Sequence, residues 1–383
     1  MTKKLFWIVF LFLNVGLSAC SHSWIEKHTP CFPRAQCLPS FSDKDGWYGG
    51  DGAYSIRLDD KRTLWLFGDT FVAEENGRKD RVGMDVILGT TLAISTCSAS
   101  GQFNIKYYIQ KENGKFVSSL GENEWLWPQD PFIVNDTLYI PLLAVKALSK
   151  DHAPFNFKII GHKIAVIKNF EADNPHEWQI DYLDITKSIP PEVTALATTA
   201  IVYQNHVYFY PLCKFSNGAA VFPGNVLARV SADKLNRQLW QIEYYNKDGK
   251  WDKKLDARQI KIMFADSLSE LSVRYRPNEN KWMAVYASTK DKGSKILYQE
   301  AQNLEGPWDE PKILIKNIPE VYEQSPLYDK NTFCYAGKEH IQFSREKNIV
   351  ATYVCNSLEA DTENSFIREN LFLYRPIVVN TGY

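Results

Sequence analysis

The stretch GGDGAYSIRLDDKRTLWLFGDTF, residues 49–71, carries one Gly-Asp pair at its start, Asp51, and another at its end, Asp69. Acids stand in comparable places further on: Asp130 ahead of FIV, Glu270 ahead of LSVRYRP, and Glu339 with His340 ahead of IQFS. Carboxylates brought together raise one another's pKa and cost stability, so folding alone gives no reason to converge them. Cleavage of a glycosidic bond does. One carboxylic acid must protonate the departing oxygen while a second carboxylate attacks or activates water. A third can orient the substrate or hold the acid's pKa up. Asp51, Asp130 and Glu270 are the catalytic candidates; Asp69, Glu339, Lys146 and Lys214 are candidates for substrate contact. The plainer reading stands beside this one, because Asp before Gly is a common turn residue and caps local N–H groups. Asp59, Asp60 and Asp136 are expected to do only that.

Whether these side chains meet depends on the elements that carry them. The chain shows no long helical periodicity, only short β-rich runs separated by Gly, Asn, Asp and Lys turns. One pattern recurs: a strand-like run, a polar turn, then an aromatic-aliphatic run. It reads GDGAYSIRL-DDKR-TLWLFGDT, QDPFIV-ND-TLYIPLLA, TTAIVY-QN-HVYFYPLC, ELSVRYRP-NEN-KWMAVYAS and KEHIQFS-REKN-IVATYVCN. The second runs begin near Trp65, Leu138, Val207, Trp282 and Ile349, between 67 and 75 residues apart. Each unit has room for two more strands; in the first these are ILGTTLAIST and FNIKYYIQ, the latter alternating as a half-buried outer strand should.

Radial repetition of four-stranded units solves the exposed-edge problem. The expected fold is therefore all-β, a five-bladed β-propeller over residues 46–383. A sandwich of two sheets does not predict a five-fold recurrence, and a linear solenoid would need capping repeats. In a blade the start of the innermost strand and the end of the second share one rim. That rim would gather Asp51, Asp130, Glu270 and Glu339 with Asp69, Lys146, Lys214, Thr289 and Asn356, the third blade offering Thr198 and Thr199.

The first 19 residues have a Lys3-Lys4 head, an apolar stretch and LSAC ending at Cys20, the pattern of a lipoprotein signal. Cys20 is the expected lipidation site, residues 20–45 a tether, and Ser21 points to the outer membrane of a Gram-negative cell. Contact with the membrane is then through the anchor only. Six cysteines remain; Cys31 with Cys37 and Cys334 with Cys355 are the expected disulfides, while Cys97 and Cys213 have no assigned partner. Their spacing is not that of a metal site, and nothing points to a cofactor. Formal net charge is −1 with no basic run, which argues against a nucleic-acid partner. Aromatic content of 14% suits strands and flat sugar faces. There is no Gly-x-Ser-x-Gly elbow, and Cys213 is expected to be buried or paired rather than a nucleophile.

GDGAYSIRLDDKRTLWLFGDTF, ELSVRYRPNENKWMAVYAS followed by AQNLEGPWDEP, and CYAGKEHIQFSREKNIVATYVCNS together resemble a family of exported bacterial five-bladed propellers of largely unknown function. That family is similar to furanosidase-type glycoside hydrolases of the arabinanase and levansucrase kind, and some relatives are endo-D-arabinanases. The resemblance implies an acid opening the first blade, matched by Asp51, and one on the second, matched by Asp130. It also implies a Glu general acid on the third; here that blade opens ATTAIVY, and Glu270 of the fourth stands in its place. Two functions follow. One is a glycoside hydrolase acting on a furanose-containing or related polysaccharide, with Asp51 as base or nucleophile, Glu270 as acid, and Asp130 and Glu339 orienting the substrate. The other is a non-catalytic surface propeller that binds a glycan or a protein.

Overall fold

Two-residue turns set the second and third hairpins. Asn135 and Asp136 (φ 48° and 55°) and Gln204 and Asn205 (φ 45° and 60°) all adopt left-handed backbone. That twist suits two-residue hairpins, so Phe132–Val134 pairs with the strand from Thr137, and Ala200–Tyr203 with His206–Phe209. The structure is a computed structural model describing residues 36–121, 124–149, 155–216, 221–266 and 270–383, the side chains of 221 and 222 excepted. The signal segment, Cys20 and Cys31 lie outside the described residues. The described residues belong to one compact unit, Phe32–Tyr383.

The architecture is all-β, and among the described residues the strands form eight antiparallel sheets. Three are separate from the hairpin units: Trp47–Gly50, Thr70–Val72 and Asp85–Ile87; Val193–Ala195, Leu212–Ser216, Val221–Val226 and Ile262–Phe264; and the pair Gln110–Glu112 and Lys115–Val117. The other five each open on a hairpin and follow one another along the chain. The first orders Tyr54–Arg57, Arg62–Phe67, Thr91–Cys97 and Phe103–Tyr108. The second contains Phe132–Val134, Thr137–Ala147, Phe157–Ile167 and Ile180–Asp184, with Leu126–Pro128 paired to the far end of its long second strand. The third runs from Ala200–Tyr203 through His206–Phe209 and Ala228–Ser231 to Glu243–Tyr245 and Trp251–Asp252. The fourth comprises Ser272–Arg276, Lys281–Ala287, Ile296–Ala301 and Lys312–Ile315. The fifth has three strands: Thr332–Glu339, Asn348–Ser357 and Ile377–Gly382. The second strand of the first sheet is buried on both faces, Leu64, Trp65, Leu66 and Phe67 alike, as a strand packed between neighbouring sheets must be.

Opening strands of successive sheets touch. Asp130 N–H bonds to Ala197 O at 3.0 Å, Val273 N–H to Thr199 Oγ1 at 3.2 Å, and Glu339 N–H to Ser272 Oγ at 2.7 Å. The last sheet meets the first where His340 Nδ1 lies 2.6 Å from Ser55 Oγ. A second tie joins the chain ends. Arg81, fully buried, donates to the carbonyls of Tyr48, Ile367, Asn370, Leu371 and Leu373 at 2.5–3.1 Å. Gly49 (φ 131°) allows the approach, because a Cβ there would sit 2.5 Å from Tyr374 O and 2.7 Å from Arg81 Nη2.

Two expectations are corrected. The fifth sheet opens on TFCYAGKE rather than KEHIQFS, and residues 340–344 form turns. A bulge between Tyr335 and Lys338, with Ala336 at φ 56°, breaks the alternation by which a strand is recognised. Glu339 is consequently the last residue of the innermost strand, not the first.

The disulfides are Cys37–Cys97 and Cys334–Cys355, so Cys37 does not close the short loop with Cys31. Phe41 packs edge-on against Trp65 at 4.9 Å, and burying that ring carries Cys37 onto the first sheet, where Cys97 ends the third strand. This bridge spans 60 residues. Cys37→Ser is expected to cost about 2–4 kcal/mol, mainly through the unfolded chain, in denaturant titrations of the oxidised protein.

Candidate functional site

The two Gly-Asp pairs of the first hairpin face each other. Asp51 N–H bonds to Asp69 O at 3.0 Å, and Gly68 N–H to Asp51 O at 2.8 Å. Just below, Gly52 (φ 71°) leaves room for a carboxylate from the fourth sheet: a Cβ there would lie 3.0 Å from Glu270 Oε1. Glu270 sits immediately before Ser272–Arg276 and accepts from Lys338 Nζ at 3.2 Å. Lys338 is buried and also lies 4.5 Å from the centre of the Tyr54 ring. Tyr335, three residues earlier on the same strand, donates its hydroxyl to Asp51 Oδ1 at 2.5 Å. The first, fourth and fifth sheets thus each bring polar side chains to one place.

Asp69 is fixed differently. Its Oδ1 accepts from Gly89 N–H at 2.8 Å and from the indoles of Trp125 and Trp127 at 2.8 and 2.9 Å. Those rings belong to a partly exposed aromatic wall: Trp127 meets Phe157 at 4.6 Å, and Phe333 stacks on Tyr335 at 5.4 Å.

These surroundings change how the acids titrate. Burial, and then the charge of Glu270, push the Asp51 carboxyl up to about 7, against the opposing Tyr335 hydrogen bond and the Lys338 ammonium. Burial pushes Asp69 up to about 6 despite its three donors. Tyr335 and Tyr374 are both held well above the usual phenol range, first by burial and then by Asp51. The site therefore sets a carboxyl at Asp51, pushed up to about 7, beside Glu270, which pairs with Lys338 at 3.2 Å; acid–base chemistry uses two carboxyls in differing surroundings. Lys338→Met removes a cation that holds the Asp51 pKa down. The Asp51 titration seen by NMR is expected to move up by roughly half a unit to one unit.

The other acids are engaged elsewhere. Asp130 is buried, with its carboxylate taken by Arg274 (2.8 and 3.0 Å), Thr199 Oγ1 (3.0 Å) and Ala200 N–H (2.8 Å). It ties the second, third and fourth sheets together. Glu339 is buried against Arg276, which donates to its Oε1. It is a strut between the fourth and fifth sheets, at the end of the strand Thr332–Glu339. Lys146 and Lys214 are exposed and make no contact with the carboxylate pocket. Lys214 instead lines a neighbouring cavity with Phe157. Cys213 is buried, and burial pushes its thiol up, away from nucleophilic use. Among the described residues, one group of three potential metal ligands lies within 4.8 Å: Glu320, Cys334 and Cys355. Its two sulfurs are tied up in the disulfide.

Sequence reasoning missed Tyr335, Lys338, Trp125 and Trp127. The bulge hid the first two. The tryptophans left a signal in EWLWP: two indoles spaced by two residues share one face of a strand.

Similarity to known proteins agrees with the fold. A candidate hydrolase from Bacteroides ovatus superposes with a TM-score of 0.63 at 17% identity, over 87% of this chain and 85% of that one. An exo-β-1,3-galactanase from Phanerochaete chrysosporium, solved with β-1,3-galactotriose, gives 0.46 at 8% identity over 89% of this chain and 63% of that one. An α-L-arabinanase mutant from Cellvibrio cellulosa gives 0.45 at 11%, over 88% and 92%. No curated protein matches the sequence. Residues 39–381 match the family described as a domain of unknown function, DUF5005, and with nearly all of the chain covered the protein belongs to that family.

Proposed function

We propose that the protein is a glycoside hydrolase-like β-propeller that cleaves a furanose-containing or related polysaccharide, the five successive sheets being its blades. The observation that carries this reading is the meeting of Asp51, raised to about 7, with Glu270, ion-paired to Lys338, beside partly exposed aromatic rings. Folding gains nothing from placing those two carboxyls together. Asp51 gives its proton to the departing glycosidic oxygen, while Glu270 supplies the negative charge as base or nucleophile. These roles are the reverse of those suggested by the resemblance, because Lys338 pairs directly with Glu270 at 3.2 Å while the Asp51 carboxyl is pushed up to about 7. Asp69, held by two indoles, orients the aromatic wall.

In the same proposal residues 1–19 are removed, Cys20 carries the lipid, residues 20–45 form the tether, and residues 46–383 form the propeller at the outer membrane. Metabolic labelling with a palmitate analogue, lost on Cys20→Ser, tests the anchor. Release of reducing ends from a panel of furanose-containing polysaccharides by residues 36–383 tests the activity. The absence of turnover across that panel would sink it.

One observation favours a second reading, a glycan-binding propeller without turnover. Asp130 is locked in its ion pair, and the third sheet opens with Thr198 and Thr199, so two of the three acids implied by the resemblance are not free at the pocket. Glycan binding without product in the same panel would select it.

A further inference from the structure

A cavity of about 440 Å³ adjoins the aromatic wall, in the range of small-ligand pockets. Phe157, Lys158, His162, Pro190, Pro191 and Lys214 are among its lining residues. A chain of side-chain contacts links it to the carboxylate pocket. Asp69 holds Trp127, Trp127 packs on Phe157 at 4.6 Å, and Phe157 lines the cavity. His162 is buried there with Nδ1 lacking a hydrogen-bond partner, and burial pulls its imidazole down to about 4, so it is neutral.

Three lysines gather near the mouth. Lys146 and Lys158 are directly opposite each other across two antiparallel strands, where like charges destabilise. Lys214 lines the same cavity as Lys158, and all three lysines are exposed. Lys163, on the same strand as Lys158, pairs with Glu124 at 2.5 Å. Among the described residues no carboxylate forms such a pair with Lys146, Lys158 or Lys214. The whole chain has a net charge of −1, so the patch does not follow from an overall basic composition.

We infer that the groove runs from Asp51 and Asp69 past Trp127 and Phe157 into this cavity, and that its occupant is a polysaccharide bearing anionic groups that sit on Lys158 and Lys214. Half-exposed rings stack on sugar faces, and ammonium groups make charge-assisted hydrogen bonds to carboxylate or ester oxyanions. The inference rests on the reading of the pocket as a glycan site and narrows that site's substrate to a charged polymer.

Affinity electrophoresis in gels containing polygalacturonate, dextran sulfate or neutral dextran tests it. The wild-type protein is expected to be retarded by at least one charged polymer and not by dextran, less so as salt is raised. The two charged polymers tell carboxylate from sulfate recognition. Lys158→Gln with Lys214→Gln, both on the surface, should weaken that binding by roughly tenfold or more. A thermal melt checks that the double variant is folded. Equal retardation by neutral and charged polymers, no retardation by either charged polymer, or an unchanged double variant would overturn the inference. Charged-polymer binding that the double variant loses, with no glycan hydrolysed, supports it while ending the hydrolase reading. Hydrolysis of a neutral glycan, unaffected by the double substitution, does the reverse.

Discussion

Asp51→Asn is expected to lower hydrolysis by about 10³-fold while leaving the fold intact, the scale on which a positioned proton donor acts. Asparagine keeps the shape and the carbonyl oxygen that accepts from Tyr335, so the hydrogen-bonded frame survives. It has no proton to give. The same variant carries a thermodynamic signature that a merely local defect would not show. The folded Asp51 carboxyl is pushed up to about 7, whereas the ordinary value for an exposed Asp is 3.8. Between those values the folded state binds more protons than the unfolded one, so the stability from this group is present below about 3.8 and is lost as pH rises towards 7. Asparagine removes that loss. Its melting temperature should exceed that of the parent at pH 8, and the gain should disappear near pH 4. Hydrolysis within tenfold of wild type would show that Asp51 is not the proton donor.

Arg81→Met is expected to destabilise the protein by on the order of 5 kcal/mol, enough to abolish folding in a marginally stable chain. Arg81 donates to five backbone carbonyls. Methionine fills similar space but takes the donors away from those oxygens, and each buried acceptor left without a partner costs about 1–3 kcal/mol. The tie joins Tyr48, at the start of the described sheets, to residues 367–373 near the chain's end. Its loss should free the C-terminal segment first. Limited proteolysis ahead of Ile377–Gly382, together with a lowered denaturation midpoint, is the expected result; a midpoint equal to wild type would refute the role.

Much of the architecture was legible before any coordinates. The first four hairpins lie where the runs and turns predict, because ND and QN occupy turns that need left-handed backbone, and the flanking β-branched and aromatic residues suit strands buried on both faces. The fifth was displaced by a bulge, which has no reliable signature in one sequence. A carboxyl ahead of a hairpin recurs from unit to unit, and that recurrence singled out Asp51, Asp130, Glu270 and Glu339 alike. Asp130 and Glu339 are held in ion pairs between sheets. Those partners are distant in sequence, Arg274 for one and Arg276 for the other.

Local residue preference determined the strand periods, the turns and the unit repeat, because these depend on neighbours within a few positions. Only tertiary structure decided which acids remain free. An acid's charge state is set by what lies beside it in space: for Asp51 these are Glu270, Tyr335 and Lys338, more than 200 residues away along the chain.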